Sequence, residues 1–151
     1  MSPWLLTLHL IAACAHIGAS THHLCFAWQA HRREAGWRRA LRHGRITLIT
    51  GVVALGLGAA LYPEYKVHIR GPWLEAAAPD GVRAFDLKEH LVAVALAAHW
   101  GAWILVRGGR EALAERGPRG LYLSLVSLGT ALVWIGGLIG AGLVSWQSAQ
   151  H

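Results

Sequence analysis

Four long apolar stretches, separated by short polar segments, account for most of the chain. They cover residues 3–30, 46–62, 87–106 and 121–146. A helix that crosses a lipid bilayer needs about 20 mostly apolar residues, so each stretch predicts one spanning helix. We therefore expect an all-α fold, an integral membrane four-helix bundle in which residues 1–151 form a single membrane domain.

The polar segments between these stretches predict the direction in which each helix crosses. Segment 31–45 is rich in arginine and has one acidic residue, while segment 107–119 has four arginines and two glutamates. Cytoplasmic loops of membrane proteins carry an excess of lysine and arginine. Both segments are therefore predicted to be cytoplasmic, which places the N and C termini and segment 63–86 on the outer, periplasmic side of the inner (plasma) membrane.

The composition supports a membrane protein and argues against a nucleic-acid-binding one. Hydrophobic residues make up 54% of the chain and charged residues only 15%. A net charge of +6 could indicate nucleic-acid binding, but the arginines lie in two short segments and not along one periodic helix face. The lipid bilayer is therefore the expected partner, and no nucleic acid is expected.

Histidine is distributed unevenly among the apolar stretches. The first stretch has four histidines, the third has two, and the second and fourth have none; the six are His9, His16, His22, His23, His90 and His99. Ionisable side chains inside a membrane are costly and usually functional. Because His9, His16 and His23 are spaced seven apart, they share one face of their helix.

Two pairs of histidines are predicted to lie at matched depths. If the first and third helices run in the same direction, a rise of about 1.5 Å per residue places His9 level with His90, and His16 level with His99. Each pair could supply two axial imidazoles to a haem iron between helices, so we predict one or two haem b groups, with these four histidines as metal ligands. His90 and His99 are about half a turn out of phase, which argues against a straight two-haem stack.

Other roles for these side chains remain open. Membrane histidines can bind a different metal, or simply form hydrogen bonds to neighbouring helices. Lys88 shares a helix face with His99 and could pair with a haem propionate or an anionic substrate, or it could extend to the membrane surface and pair with Asp86 or Glu89. Segment 63–86 could cover a substrate site or serve only as an interfacial anchor.

Short motifs at the start of the first and third stretches suggest a family. Leu8-His9-Leu10-Ile11 is followed by a basic segment, and Asp86-Leu87-Lys88 is followed by Ala98-His99-Trp100-Gly101. In these motifs the chain resembles the small four-helix membrane proteins that include the haem-binding protoporphyrinogen oxidase HemJ and the copper-resistance CopD-like proteins. The resemblance implies a b-type haem, and it implies that His9 and Lys88 form the functional pair, with Lys88 catalytic.

Together these features predict a membrane-bound b-type haem protein that transfers electrons, with a quinone or a partner redox subunit as the exchange partner. It would be an oxidoreductase if it is an enzyme. One alternative is HemJ-like oxidation of a porphyrinogen at His9 and Lys88. Another is a cofactor-free accessory subunit or a copper carrier, since the glycine-rich fourth stretch, with Gly136-xxx-Gly140, suits docking to another subunit or to a second copy of the chain.

Overall fold

The computed structural model describes residues 2–75, 79–107 and 110–148, and they fold into four long helices. They also contain a π-helical segment and a short 3₁₀ helix. The described residues contain no strand, so the predicted all-α class with four helices is confirmed. The elements are α1 (Pro3–Arg33), α2 (Trp37–Tyr65), the π-helix (Lys66–Leu74), α3 (Pro79–Leu105), the 3₁₀ helix (Arg110–Leu113) and α4 (Arg116–Ser148).

Three helical stretches are long and apolar enough to cross a membrane. They are Pro3–Arg33, Trp37–His68 and Arg116–Leu143. Over its described residues α3 is not among these three stretches, although the sequence predicted a fourth span there. Lys88 and Glu89 stand near its start, and the helix ends at Leu105. The fourth span therefore stays a prediction.

A very short turn joins α1 to α2 within the arginine-rich segment. Glu34 and Gly36 both adopt left-handed backbone conformations, with φ values of 53° and 87°. Glycine suits the second position because it has no Cβ to clash with the backbone. α2 therefore begins at Trp37, well before the predicted apolar stretch, and the two helices form an antiparallel hairpin. We call this end of the bundle the arginine-rich end.

The predicted outer segment 63–86 is largely helical. α2 continues through Pro63 to Tyr65, and the chain then passes directly into the π-helix. α3 begins at Pro79, before the predicted apolar boundary. Helices thus extend beyond the apolar stretches at this end as well, because polar residues at a helix end can keep the backbone hydrogen bonds of the helix intact.

Arg70 ties the π-helix to the start of α3. Its guanidinium donates to both carboxylate oxygens of Asp86, at 3.1 and 3.4 Å, to Glu75 at 3.2 Å and to the hydroxyl of Tyr62 at 3.3 Å. The hydrogen bond to Glu75 raises the pKa of Arg70 above its usual value. Asp86, one of the two carboxylates that the sequence offered as a partner for Lys88, is therefore bound by an arginine.

The four helices pack in chain order around a square. α1 packs along α2 and α4, while α3 packs along α4 and, over a shorter contact, along α2. α1 and α3 consequently face each other across the diagonal of the bundle. An apolar core fills the arginine-rich end, and its members include Ala27, Ala40, Val106, Leu113 and Val126.

Candidate functional site

Polar side chains from three helices meet in the middle of the bundle. We define the histidine cluster as His16 and His23 from α1, His99 from α3 and Tyr122 from α4. All four are buried, with exposed fractions of 5%, 2%, 1% and 1%. The ring centroid of His99 lies 6.1 Å from that of His16 and 5.9 Å from that of His23. The helices on the diagonal thus bring their histidines together in the core.

The hydrogen bonds of His99 and His16 fix which ring nitrogen carries the proton. Nδ1 of His99 lies 2.9 Å from the carbonyl oxygen of Ala95, which can only accept, so Nδ1 donates. Nδ1 of His16 lies 3.3 Å from Oγ1 of Thr50, whose own hydrogen goes to the carbonyl of Ile46 at 2.9 Å, so here too Nδ1 donates. In a neutral imidazole whose Nδ1 donates, Nε2 is the acceptor.

Nε2 of His99 is buried and has no hydrogen-bond partner among the described residues. Buried polar atoms are normally paired, so an unpaired one requires a partner such as a water, an ion or a ligand. Metal-bound histidines usually donate from their other ring nitrogen to a carbonyl or similar acceptor, which is the pattern of His99 and Ala95. His99 thus bonds its own helix through Nδ1 and leaves Nε2 without a partner among the described residues.

His23 is bonded differently. Its Nε2 lies 2.7 Å from the hydroxyl of Tyr122, and its Nδ1 is buried without a partner in the described part of the chain. A cavity of about 10 Å³ lies beside these side chains and is lined by His23, His99, Tyr122, Gly44 and Trp103, among others. That volume is about the size of one water molecule. The arginine-rich side of the cluster can therefore hold a single water between polar groups.

Glycines on α2 face the histidines on α1 in register. Gly44, Gly51 and Gly58 are spaced seven apart, as His23, His16 and His9 are, and the two helices are antiparallel. A Cβ built on these glycines would lie 3.1 Å from Nε2 of His23, 2.8 Å from Cε1 of His16 and 3.1 Å from Cε1 of His9. Because glycine has no side chain, each imidazole fits against the backbone of α2.

A glycine on α4 likewise leaves space for a histidine of α3. A Cβ on Gly129 would lie 2.6 Å from Cε1 of His99 and 3.1 Å from the carbonyl oxygen of Ala95. The sequence indicated a packing surface on the glycine-rich fourth stretch, but it did not show that a histidine packs against Gly129.

His9 and Lys88 lie at the opposite end from the arginines. Nδ1 of His9 is 3.1 Å from the carbonyl oxygen of Ala54, and Lys88 is within electrostatic range of His9. The Lys88 ammonium lies 4.4 Å from the ring centroid of Phe85. No carboxylate lies within 4 Å of it in the described ranges, and its aliphatic stem runs over Gly136 and Gly140.

His90 takes no part in the cluster. It is exposed, and its Nδ1 lies 2.7 Å from the carbonyl oxygen of Asp86 in its own helix. His9 faces α2 instead, and no contact between His9 and His90 occurs among residues with a described placement. The structure therefore brings His16 close to His99. It places His9 and His90, the other expected pair, on different faces of the bundle.

Two members of the cluster were not among the sequence-predicted ligands. His23 was placed on the same helix face as His16, and this spacing was the available signal. Tyr122 could not have been found in this way, because its contact with His23 depends on α4 packing against α1.

The cluster contains two buried imidazoles from helices on the bundle diagonal, His16 and His99. No group of three or more potential metal ligands is found in the part of the chain that the structure describes. A haem iron needs only two axial protein ligands, and His16 and His99 can supply them. The cavity of about 10 Å³ is far smaller than the roughly 300–1,000 Å³ of ordinary ligand pockets, so a macrocycle requires α1 and α3 to move apart.

Comparison with protein-family models, with curated proteins and with solved structures found no match to this chain.

Proposed function

We propose that this chain is a multi-pass protein of the cell's inner membrane that transfers electrons through one b-type haem, with His16 and His99 as axial ligands. One observation carries the proposal. Two buried imidazoles from helices on the bundle diagonal lie with ring centroids 6.1 Å apart, and Nε2 of His99 is buried without a hydrogen-bond partner among the described residues.

The surface of the bundle supports the membrane location. Large apolar side chains point outward on all four helices, for example Leu10, Ile49, Ile104 and Leu138, which are 61%, 64%, 57% and 65% exposed. Contiguous apolar surface of this kind is unfavourable in water and favourable in lipid. The arginine-rich end is assigned to the cytoplasm by the positive-inside rule, and the termini to the periplasmic side.

The protein residues have distinct parts in this proposal. His16 and His99 would hold the haem, which would supply one-electron exchange with a quinone or a partner redox subunit. Thr50 and the carbonyl of Ala95 hold the two imidazoles in the tautomer that leaves Nε2 free. Gly51 and Gly129 leave the space that both rings occupy.

The proposal is tested on protein purified in detergent from haem-replete cells. We expect reduced-minus-oxidised absorption spectra and a pyridine haemochrome assay to show one b-type haem per chain. His16→Ala and His99→Ala should each lose most of the haem, because each removes an axial ligand. His22→Ala and His90→Ala are matched controls, since both side chains are exposed and bond only within their own helices.

A folded but colourless protein would contradict the haem proposal and favour a cofactor-free accessory subunit. Stoichiometric copper, measured by elemental analysis of the same sample, would instead indicate a copper carrier. Haem that persists in both His16→Ala and His99→Ala would show that the ligands are wrongly assigned.

A second candidate is porphyrinogen oxidation at the end opposite the arginines. It is favoured by Lys88, which lies near His9 and has no carboxylate within 4 Å among the described residues. This activity requires that Lys88→Ala abolish porphyrinogen oxidation while haem content stays unchanged. A wild-type protein that contains haem but oxidises no porphyrinogen would exclude this candidate.

A further inference from the structure

A second polar site lies at the arginine-rich end, away from the histidine cluster. The turn between α1 and α2 and the segment leading into α4 enclose an open cleft of about 650 Å³. We call it the arginine cleft. Its charged and aromatic lining residues are Glu34, Trp37, Arg38, Arg39, Glu111 and Arg119.

The arginine cleft has an excess of positive charge that the protein itself does not neutralise. Arg119 donates to Glu34 at 2.8 Å and to the carbonyl oxygen of Ala114 at 2.9 Å, so Arg119 and Glu34 satisfy each other. Arg38 and Arg39 are exposed, and neither has a carboxylate within 4 Å in the described ranges. Glu111 is the remaining acidic side chain of the lining. Two arginines thus oppose one glutamate.

The backbone at the start of α2 adds to this positive character. The helix begins after Gly36 with no side-chain cap, and its first turn has no acidic residue. Unpaired N–H groups at a helix start carry partial positive charge. The guanidinium groups of arginine bind the oxygens of phosphate through paired hydrogen bonds. The arginine cleft therefore fits a phosphate group better than a neutral ligand.

We propose that the arginine cleft binds the phosphate of an anionic phospholipid headgroup. The inference rests on the proposed membrane location and is independent of the haem. Exposed apolar side chains follow on the adjoining helices, including Trp28 on α1 and Ile46 and Ile49 on α2, where acyl chains of the same lipid can lie. Basic pockets between helices on the cytoplasmic side of a membrane are suited to such headgroups.

The experiment measures lipid binding to the full chain by native mass spectrometry in detergent. The probes are phosphatidylglycerol, phosphatidylcholine and inorganic phosphate. We expect phosphatidylglycerol to bind at least tenfold more tightly than the other two. In Arg38→Gln/Arg39→Gln this binding should weaken about 30-fold, which corresponds to about 1 kcal/mol for each arginine.

Arg107→Gln/Arg116→Gln is the matched control, because both side chains are exposed at the same end and neither lines the cleft. It should retain most of the binding. Arg38→Lys/Arg39→Lys keeps the charge and guards against a folding defect, and it should weaken binding less than the glutamine pair.

Three results would overturn the proposal. They are equal weakening by the control and the cleft variants, equal binding of phosphatidylglycerol and phosphatidylcholine, and equally tight binding of inorganic phosphate alone. A chain that separates with the soluble proteins on cell fractionation would contradict the membrane location itself. A colourless protein that still prefers phosphatidylglycerol would contradict only the haem proposal.

Discussion

At the scale of single residues, the histidine cluster depends on glycines as much as on histidines. Gly51 and Gly129 occupy positions where any Cβ would enter the space of a buried imidazole. Protein interiors are packed tightly, so an added methyl group at such a position must displace the ring or the helix. The identity of these glycines is therefore set by the neighbouring helix and not by local backbone conformation.

We expect Gly51→Ala and Gly129→Ala each to lower the free energy of unfolding by about 1–3 kcal/mol, because overpacking a close contact costs that much. Gly129→Ala should have the larger effect, since its Cβ would lie 2.6 Å from Cε1 of His99, against 2.8 Å from His16 for Gly51. Thermal unfolding in detergent measures the change. Under the haem proposal, both variants should also lose haem.

Gly56→Ala is the matched control for this prediction. Gly56 lies on the same helix as Gly51, is exposed, and has nothing within 4 Å of the position a Cβ would take. Alanine there should leave the stability unchanged or raise it by up to about 1 kcal/mol. Gly51→Ala and Gly129→Ala variants as stable as Gly56→Ala would contradict the close packing of the imidazoles.

At the scale of helices, an aromatic stack and an ion pair fasten the connection from α2 to α3. Tyr65 stacks on Phe85 with ring centroids 4.2 Å apart, and Arg70 joins the π-helix to Asp86. The sequence offered this segment as a cover over a site or as an interfacial anchor. The observed contacts tie it to the start of α3, on the helix that carries Lys88 and His99.

Arg70→Gln should loosen this connection. Its ion pairs are only partly exposed, with 21% of the Arg70 side chain and 41% of the Asp86 side chain accessible. We expect little change in global stability, because ion pairs that water can reach contribute little to it. Hydrogen exchange should become faster in peptides from residues 62–75 and 79–90. Arg83→Gln is the control, because Arg83 is 83% exposed and pairs only with Asp80 one turn away. Equal exchange in the two variants would show that Arg70 does not fasten the segment.

At the scale of the whole molecule, the order of helices around the square decides which side chains meet. α1 and α3 lie on one diagonal and contribute the histidines, while α2 and α4 lie on the other and contribute the glycines. The bundle interior therefore concentrates polar groups at its centre, while exposed apolar side chains cover its outside. This distribution suits a protein surrounded by lipid.

The proposed orientation in the membrane can be measured directly. In a Cys14→Ala/Cys25→Ala background, Ser2→Cys should react with a membrane-impermeant maleimide on intact spheroplasts. Gly117→Cys should react only after the membrane is permeabilised, because the arginine-rich end is assigned to the cytoplasm. Labelling of Gly117→Cys alone in intact spheroplasts would mean that the assigned orientation is reversed.

The sequence by itself determined the helices and the helix face that carries the histidines. Both follow from local rules: apolar stretches of spanning length predict helices, and a seven-residue spacing places His9, His16 and His23 on one face. The sequence predicted four spans, and three of these helices are long and apolar enough to cross a membrane.

Only the tertiary structure decided which of these faces meet. It brought His99 against His16 and His23, left His90 exposed and added Tyr122 to the cluster. Such contacts join residues far apart in the chain, and they depend on how each helix is rotated about its axis and which helices are neighbours. Sequence periodicity fixes which residues share a face, but the direction of that face is settled only when all four helices pack together.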